Sequence, residues 1–176
     1  MGAPLRREIG SDVQALIGIG PRKAAALAAA LLMLLAACAS GPPPPPFASV
    51  ANQLPPVSGD QARIFFYRYY ELYVSMARPY IRLNGKPVAI SEPGGVLYRD
   101  VPPGTYLISV DSYNLYPDQD KTVALAAGQT LYVRVDSVRG YNAGFEGYDP
   151  EDFAVRIIDQ GPARADMLSL KYYAVP

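Results

Sequence analysis

Arg63-Ile64-Phe65-Phe66-Tyr67-Arg68-Tyr69 is the stretch on which the fold turns. β-Branched and aromatic residues dominate it, and they do not alternate with polar ones. Residues of this kind favour the pleated backbone, and an unbroken apolar run at strand length means burial on both faces or nearly so. The segment therefore predicts a strand in the interior of a domain rather than at its surface.

Downstream, the chain repeats a strand-and-turn pattern. Pro79-Tyr80-Ile81-Arg82-Leu83 alternates and runs into Asn84-Gly85, the pair that supplies positive φ to a two-residue hairpin turn. Lys86 to Ile90 returns, and Pro87, which has no amide to donate, places that strand at an edge or starts it late. Pro93-Gly94-Gly95 precedes a strand over 96–101, and Pro102-Pro103-Gly104 precedes another over 105–110, with Tyr106, Ile108 and Val110 on one face. A polar loop, 111–120, leads to Lys121–Leu125. Ala126-Ala127-Gly128-Gln129 then turns into Thr130-Leu131-Tyr132-Val133-Arg134-Val135, which reads Leu131, Val133 and Val135 inward and Tyr132 and Arg134 outward. Phe153 to Ile158 adds a strand, and 164–171 reads as a terminal helical turn or two. About seven short strands between Pro/Gly turns predict an all-β, antiparallel β-sandwich, Ig-like or prealbumin-like, over 61–176. No Cys…Trp…Cys signature is present, so a true immunoglobulin domain is excluded.

Upstream the composition changes. Residues 40–60 contain Pro42 to Pro46, Pro55-Pro56 and Ser58-Gly59, which favour extended polyproline II and read as a spacer in preference to a PxxP ligand. Further back, Arg22-Lys23 stands before the uncharged run 24–37, which is shorter than the roughly 20 apolar residues of a membrane span. A basic flank, a short apolar core and small residues at its exit describe a secretory signal peptide over 1–37. Its exit, Leu35-Ala36-Ala37-Cys38, resembles the lipobox of bacterial lipoproteins at all four positions. That resemblance implies recognition of Leu35, Ala36 and Ala37 by a signal peptidase, cleavage before Cys38, a diacylglyceryl group on its thiol and an acyl chain on its new amino group. Two or three chains hold a protein stably at a bilayer where one does not. Ala39 lacks the Asp that in enterobacterial lipoproteins resembles an inner-membrane retention signal, which implies the periplasmic face of the outer membrane. A buried thiol in an Ala-rich helix and an uncleaved single span are the alternatives. Residues 38–60 thus read as lipidated cysteine and tether.

Composition narrows the chemistry. The 176 residues include no His, no Trp and a single Cys. Without His the commonest general base and metal ligand are missing, and one Cys forbids an internal disulfide or a redox pair. The 16 basic and 16 acidic side chains balance, and loss of 1–37 would leave 12 and 14. Neither count offers an electrostatic reason for nucleic-acid binding. No catalytic constellation emerges, and the chain reads as non-enzymatic.

The lipobox, Ala62 to Arg68, Leu83-Asn84-Gly85, Val101-Pro102-Pro103-Gly104-Thr105-Tyr106 and Ala127-Gly128-Gln129-Thr130-Leu131-Tyr132 together resemble an uncharacterised proteobacterial lipoprotein family, a domain of unknown function. Its small sandwich is similar to the regulatory-like domains of carboxypeptidases. The resemblance covers about 62–173 and implies no activity, no cofactor beyond the lipid on Cys38, and a membrane partner. Residues 140–152 stand out from it as longer and more acidic.

Three groups of side chains carry candidate chemistry. The acidic run 146–152 offers paired carboxylates of the kind used in glycoside hydrolysis, against a plain solvated loop. Asp111, Asp118 and Asp120 with Asn114 offer oxygen ligands for Ca²⁺ but not at EF-hand spacing. Tyr113, Tyr116, Tyr141 and Tyr148, in polar loops, suit stacking on a glycan or an interface with an envelope protein. The reading is a lipid-anchored envelope protein that presents a sandwich to a protein or cell-wall partner. A periplasmic hydrolase using 146–152 and a spacer without a ligand are the alternatives.

Overall fold

The computed structural model describes residues 42–112, 117–138, 140–141, 148–149 and 152–174. The compact unit that carries the sheets begins at Pro44. Strand β1 (Ala62–Tyr67) is its middle element, and all six of its residues are buried. It lies in a five-stranded sheet of order β10-β7-β1-β4-β11, where β4 is Gly95–Val101, β7 Thr130–Ser137, β10 Phe153–Ile157 and β11 Lys171–Tyr172. β1 pairs antiparallel with β4, from Ala62 opposite Val101 to Tyr67 opposite Val96. On its other side it pairs parallel with β7, from Arg63 beside Thr130 to Tyr67 beside Arg134.

The second sheet is antiparallel, of order β3-β2-β5-β6, with β2 Tyr80–Leu83, β3 Lys86–Ile90, β5 Gly104–Val110 and β6 Lys121–Leu125. Asn84 and Gly85 take φ of 50° and 78°, as the turn between β2 and β3 requires. Pro87 does lie on an edge strand. The register shifts between Ile81 and Arg82, opposite the proline that cannot complete the ladder. A separate ribbon pairs β8 (Gly140–Tyr141) with β9 (Tyr148–Asp149).

Period-two alternation sends the residues of β1 to two different cores. Ala62, Ile64 and Phe66 meet Ile81, Leu83, Ile108, Val110, Val133 and Val155 between the sheets. Phe65 and Tyr67 point the other way, into a second cluster with Phe47, Val96, Tyr132, Ala163, Met167 and Leu170. Helix α1 (Phe47–Val50), its 3₁₀ continuation Ala51–Gln53, and helix α2 (Gln160–Met167) supply the cover. Gly161 and Pro162 fall in the first turn of α2, where an amide has no partner within the helix and proline costs little.

Three expectations change. The sandwich is not wholly antiparallel, because β1–β7 and β11–β4 run parallel, and the two sheets hold nine strands rather than about seven. The terminal helix spans 160–167, not 164–171, and Lys171 already belongs to a strand. The stretch assigned to the tether folds from Pro44 onward: Phe47 is buried, its amide donates to Leu170 O at 2.7 Å, and Pro45 O accepts from the Tyr172 amide at 2.7 Å. Proline carbonyls can accept where proline nitrogens cannot donate, so a proline-rich segment serves as the outer edge of a sheet.

Phe47→Ala is therefore expected to destabilise the domain by about 3 kcal/mol in urea unfolding, as loss of a buried aromatic does. Leu107→Ala, at a position 43% exposed, should stay within about 0.5 kcal/mol of wild type. A silent Phe47→Ala would return 44–60 to the tether.

Candidate functional site

The outer face of the five-stranded sheet is aromatic: β1 is buried on this face too, as its unbroken apolar run predicts, and on β7 Tyr132 is covered where alternation alone predicts solvent. Phe65 on β1 stacks on Tyr132 of β7, ring centres 5.5 Å apart and nearly parallel. Phe47 meets Phe65 edge-on at 6.0 Å, and Tyr98 of β4 lies 5.8 Å from it. Such offset and edge contacts add to the area that the rings bury. Tyr132, placed outward by alternation, is only 4% exposed. Alternation was read correctly; the layer of helices over that face was not in the pattern.

The cover is incomplete. Between the α1 segment and α2 a cleft of about 400 Å³ remains, with Phe65 and Tyr132 as floor, Phe47 and Leu54 on one wall, and Arg164 and Met167 on the other. Arg164 Nε donates to the Tyr132 hydroxyl at 3.2 Å, which sets a cation at the edge of the apolar floor. Leu168, 53% exposed, completes the lip. Apolar walls with one or two placed polar groups are the general form of a small-ligand or side-chain pocket. This one suits a flat or aliphatic group that carries a negative charge or an acceptor.

Polar contacts hold both walls. Tyr67 donates its hydroxyl proton to Asp166 of α2 at 2.8 Å, and Arg134 approaches the same carboxylate at 3.9 Å while pairing with Asp136 at 2.6 Å. On the other side, Arg63 holds Asp100 with two bonds of 2.6 and 2.7 Å and donates to Pro55 O at 2.7 Å. Its guanidinium also lies 4.0 Å over the Tyr98 ring. A planar fork serves carboxylate, carbonyl and ring together, which an ammonium does less well.

Of the tyrosines singled out from sequence, Tyr141 and Tyr148 stand opposite one another in the β8–β9 ribbon. Tyr113 and Tyr116 lie outside the described residues, as do Cys38, Leu35, Ala36 and Ala37. In the acidic run, Asp152 is fully buried and accepts from Ser112 Oγ at 3.2 Å, a structural role rather than that of a solvent-facing acid. Glu146 and Glu151 are outside the described residues. Two of the candidate calcium ligands are engaged elsewhere: Asp111 accepts two bonds from Arg82 at 2.6 and 3.0 Å, and Asp118 pairs with Lys121 and Arg156; Asn114 lies outside the described residues. Among the described residues no group of three acidic, His or Cys side chains could hold a metal ion. Residues that the sequence reading missed are Phe47, Leu54, Arg164 and Met167. A large aromatic standing alone in a proline run was the available sign for Phe47.

Burial first, and the bond to Asp166 second, hold the Tyr67 phenol well above its ordinary value near 10. A folded-state value above the unfolded one contributes stability that is complete below about pH 10 and is lost as pH rises through the folded value. Tyr69, Tyr172 and Tyr173 shift the same way, each chiefly by burial. Thermal unfolding between about pH 8 and 11 should thus fall away above pH 10. Tyr67→Phe is expected to cost about 1 kcal/mol at pH 8 and to make the alkaline fall shallower. An unchanged alkaline slope would remove Tyr67 from this account.

A family model described as a protein of unknown function (DUF2846) matches residues 58–147. No curated protein matches the chain. The matched span contains the floor residues Phe65 and Tyr132 but neither α1 nor α2, so the walls of the cleft lie outside it. It takes in just over half of the sequence, and the chain belongs to this DUF2846 family.

Proposed function

We propose that the protein is a lipoprotein of the bacterial cell envelope, acylated at Cys38 and held at the periplasmic face of the outer membrane. Its sandwich is non-enzymatic and presents a surface to an envelope protein or a cell-wall glycan. The observation that carries the reading is the single cysteine at the one position where Leu35-Ala36-Ala37-Cys38 needs it, behind a basic flank and an apolar run. Ala39 supports the outer membrane over the inner. The aromatic cleft beneath α1 and α2 is the part of the domain best suited to a ligand, with Arg164 as its polar contact.

The start of the fold at Pro44 sharpens the picture. Six Cα steps separate Pro44 from Cys38, a reach of about 20 Å at most. A tether running to residue 60 would have allowed on the order of 60 Å. The sandwich is thus kept near the lipid surface instead of being lifted far from it.

Cells fed a radioactive fatty acid test the anchor. Wild type should incorporate label and sediment with membranes, and Cys38→Ala should lose the label and appear in the soluble fraction. Incorporation that survives Cys38→Ala sinks the reading. In an enterobacterial host, Ala39→Asp is expected to move the protein from outer to inner membrane fractions.

A further inference from the structure

Between β1 and β2 the chain makes a loop, 68–79, whose exterior is more apolar than its place on the surface requires. Tyr70 is 62% exposed, Leu72 70% and Met76 87%. Residues of this size are not exposed together by a loop that lacks order of its own, because this loop is fixed from beneath. Arg68, 1% exposed, donates to Val74 O at 2.7 Å and to Ala77 O at 2.8 Å, and Val74 plugs the core. A 3₁₀ turn over Leu72–Val74 and the Ser75 hydroxyl, which donates to Leu72 O, complete the frame. Three large apolar side chains exposed within seven residues of a well-held loop are what a contact surface presents.

The patch lies at the place where the chain enters the domain. Pro46 bridges to Lys171, the Lys171 amide donates to Gly94 O at 2.9 Å, and Gly94 packs on Tyr70 so closely that a Cβ there would sit 3.2 Å from Tyr70 Cβ. Three contacts therefore connect the entry strand with the exposed loop. A cleft of about 410 Å³ beside Tyr70 is lined by Ser75, Arg78, Glu92 and Lys171; Arg78 pairs with Glu92 at 2.8 Å, which leaves Lys171 as the added positive charge next to the loop. Apolar and aromatic tips beside a Lys are the composition that settles at the boundary of acyl chains and headgroups.

We propose that this loop rests on the bilayer itself, with Tyr70, Leu72 and Met76 entering the interface and Lys171, beside the Arg78–Glu92 pair, facing lipid phosphates. The inference rests on acylation of Cys38, whose short leash keeps the entry strand, and with it the loop, beside the membrane. It gives the domain a fixed attitude, with the loop toward lipid and the Asn84–Gly85 turn, at the other end of β2, toward the periplasm.

The absence of tryptophan from the chain makes the test direct. Leu72→Trp supplies a sole reporter in the loop, and Leu107→Trp supplies one on β5 beside the Asn84–Gly85 turn, at the far end of β2; both positions are exposed and leave the core intact. The full acylated protein is placed on vesicles of phosphatidylethanolamine and phosphatidylglycerol, with and without brominated acyl chains. Emission from Leu72→Trp should shift to the blue by roughly 10 nm and be quenched about twofold by bromine, while Leu107→Trp does neither. Water-like, unquenched emission from Leu72→Trp on protein that floats with the vesicles overturns the loop contact and leaves the anchor standing. That is also the outcome expected if the loop docks on another protein. If the chain carries no acyl group, the anchor falls, and the same two reporters on the unacylated chain mixed with vesicles decide the loop alone. A blue shift at Leu72→Trp then supports the contact and its absence overturns it.

Discussion

Everything in this domain follows from the need to bury β1 on both sides. A six-residue strand with no exposed side chain cannot sit in a two-layer sandwich with one face in water. The inner face is covered by the antiparallel sheet β3-β2-β5-β6, as in any sandwich. The outer face needs a third layer, and the chain builds it from its two ends, α1 from before β1 and α2 from after β10. The parallel β1–β7 pair belongs to the same solution, since parallel strands are found where both faces are covered.

Arginines organise the connections around that strand, Arg63 and Arg68 buried and Arg99 half-buried. Arg63 joins the Pro55 carbonyl, just past the 3₁₀ segment, to Asp100, and Arg68 gathers the carbonyls of the following loop. Arg99 donates twice to Val88 O, which ties β4 to the edge strand β3. In each case the guanidinium satisfies a backbone oxygen that lies in a loop or, for Val88, at the irregularity of the edge strand β3. Loops fixed in this way hold their exposed side chains in place without needing an apolar core of their own.

Strands, turns and edges were legible because each depends on a few neighbouring residues: Asn84-Gly85 for a hairpin, Pro87 for an edge, the alternation of Leu131, Val133 and Val135 for an inward face. Direction of pairing was not, because parallel and antiparallel neighbours ask for the same residues when both faces are buried. The cleft was also out of reach. Its floor alternates like any strand, and its walls come from Phe47 and from Arg164 and Met167, more than a hundred residues apart, with no local pattern to join them. Proline was read for what it cannot do, as a donor that is missing, while Pro45 matters for the carbonyl that it keeps.

The clasp between Pro45 and Tyr172, and between Phe47 and Leu170, brings the entry of the domain against its exit. A pull transmitted from the N-terminal side is therefore not borne by β1 or by the sandwich core. It falls first on two backbone hydrogen bonds and the seating of one phenylalanine, at the rim of the sheet. Under load the domain would let out Pro44 to Leu54, lengthening the leash and uncovering Phe65, before any strand of the sandwich gives way. The same edge that closes the fold at rest is thus its mechanical fuse.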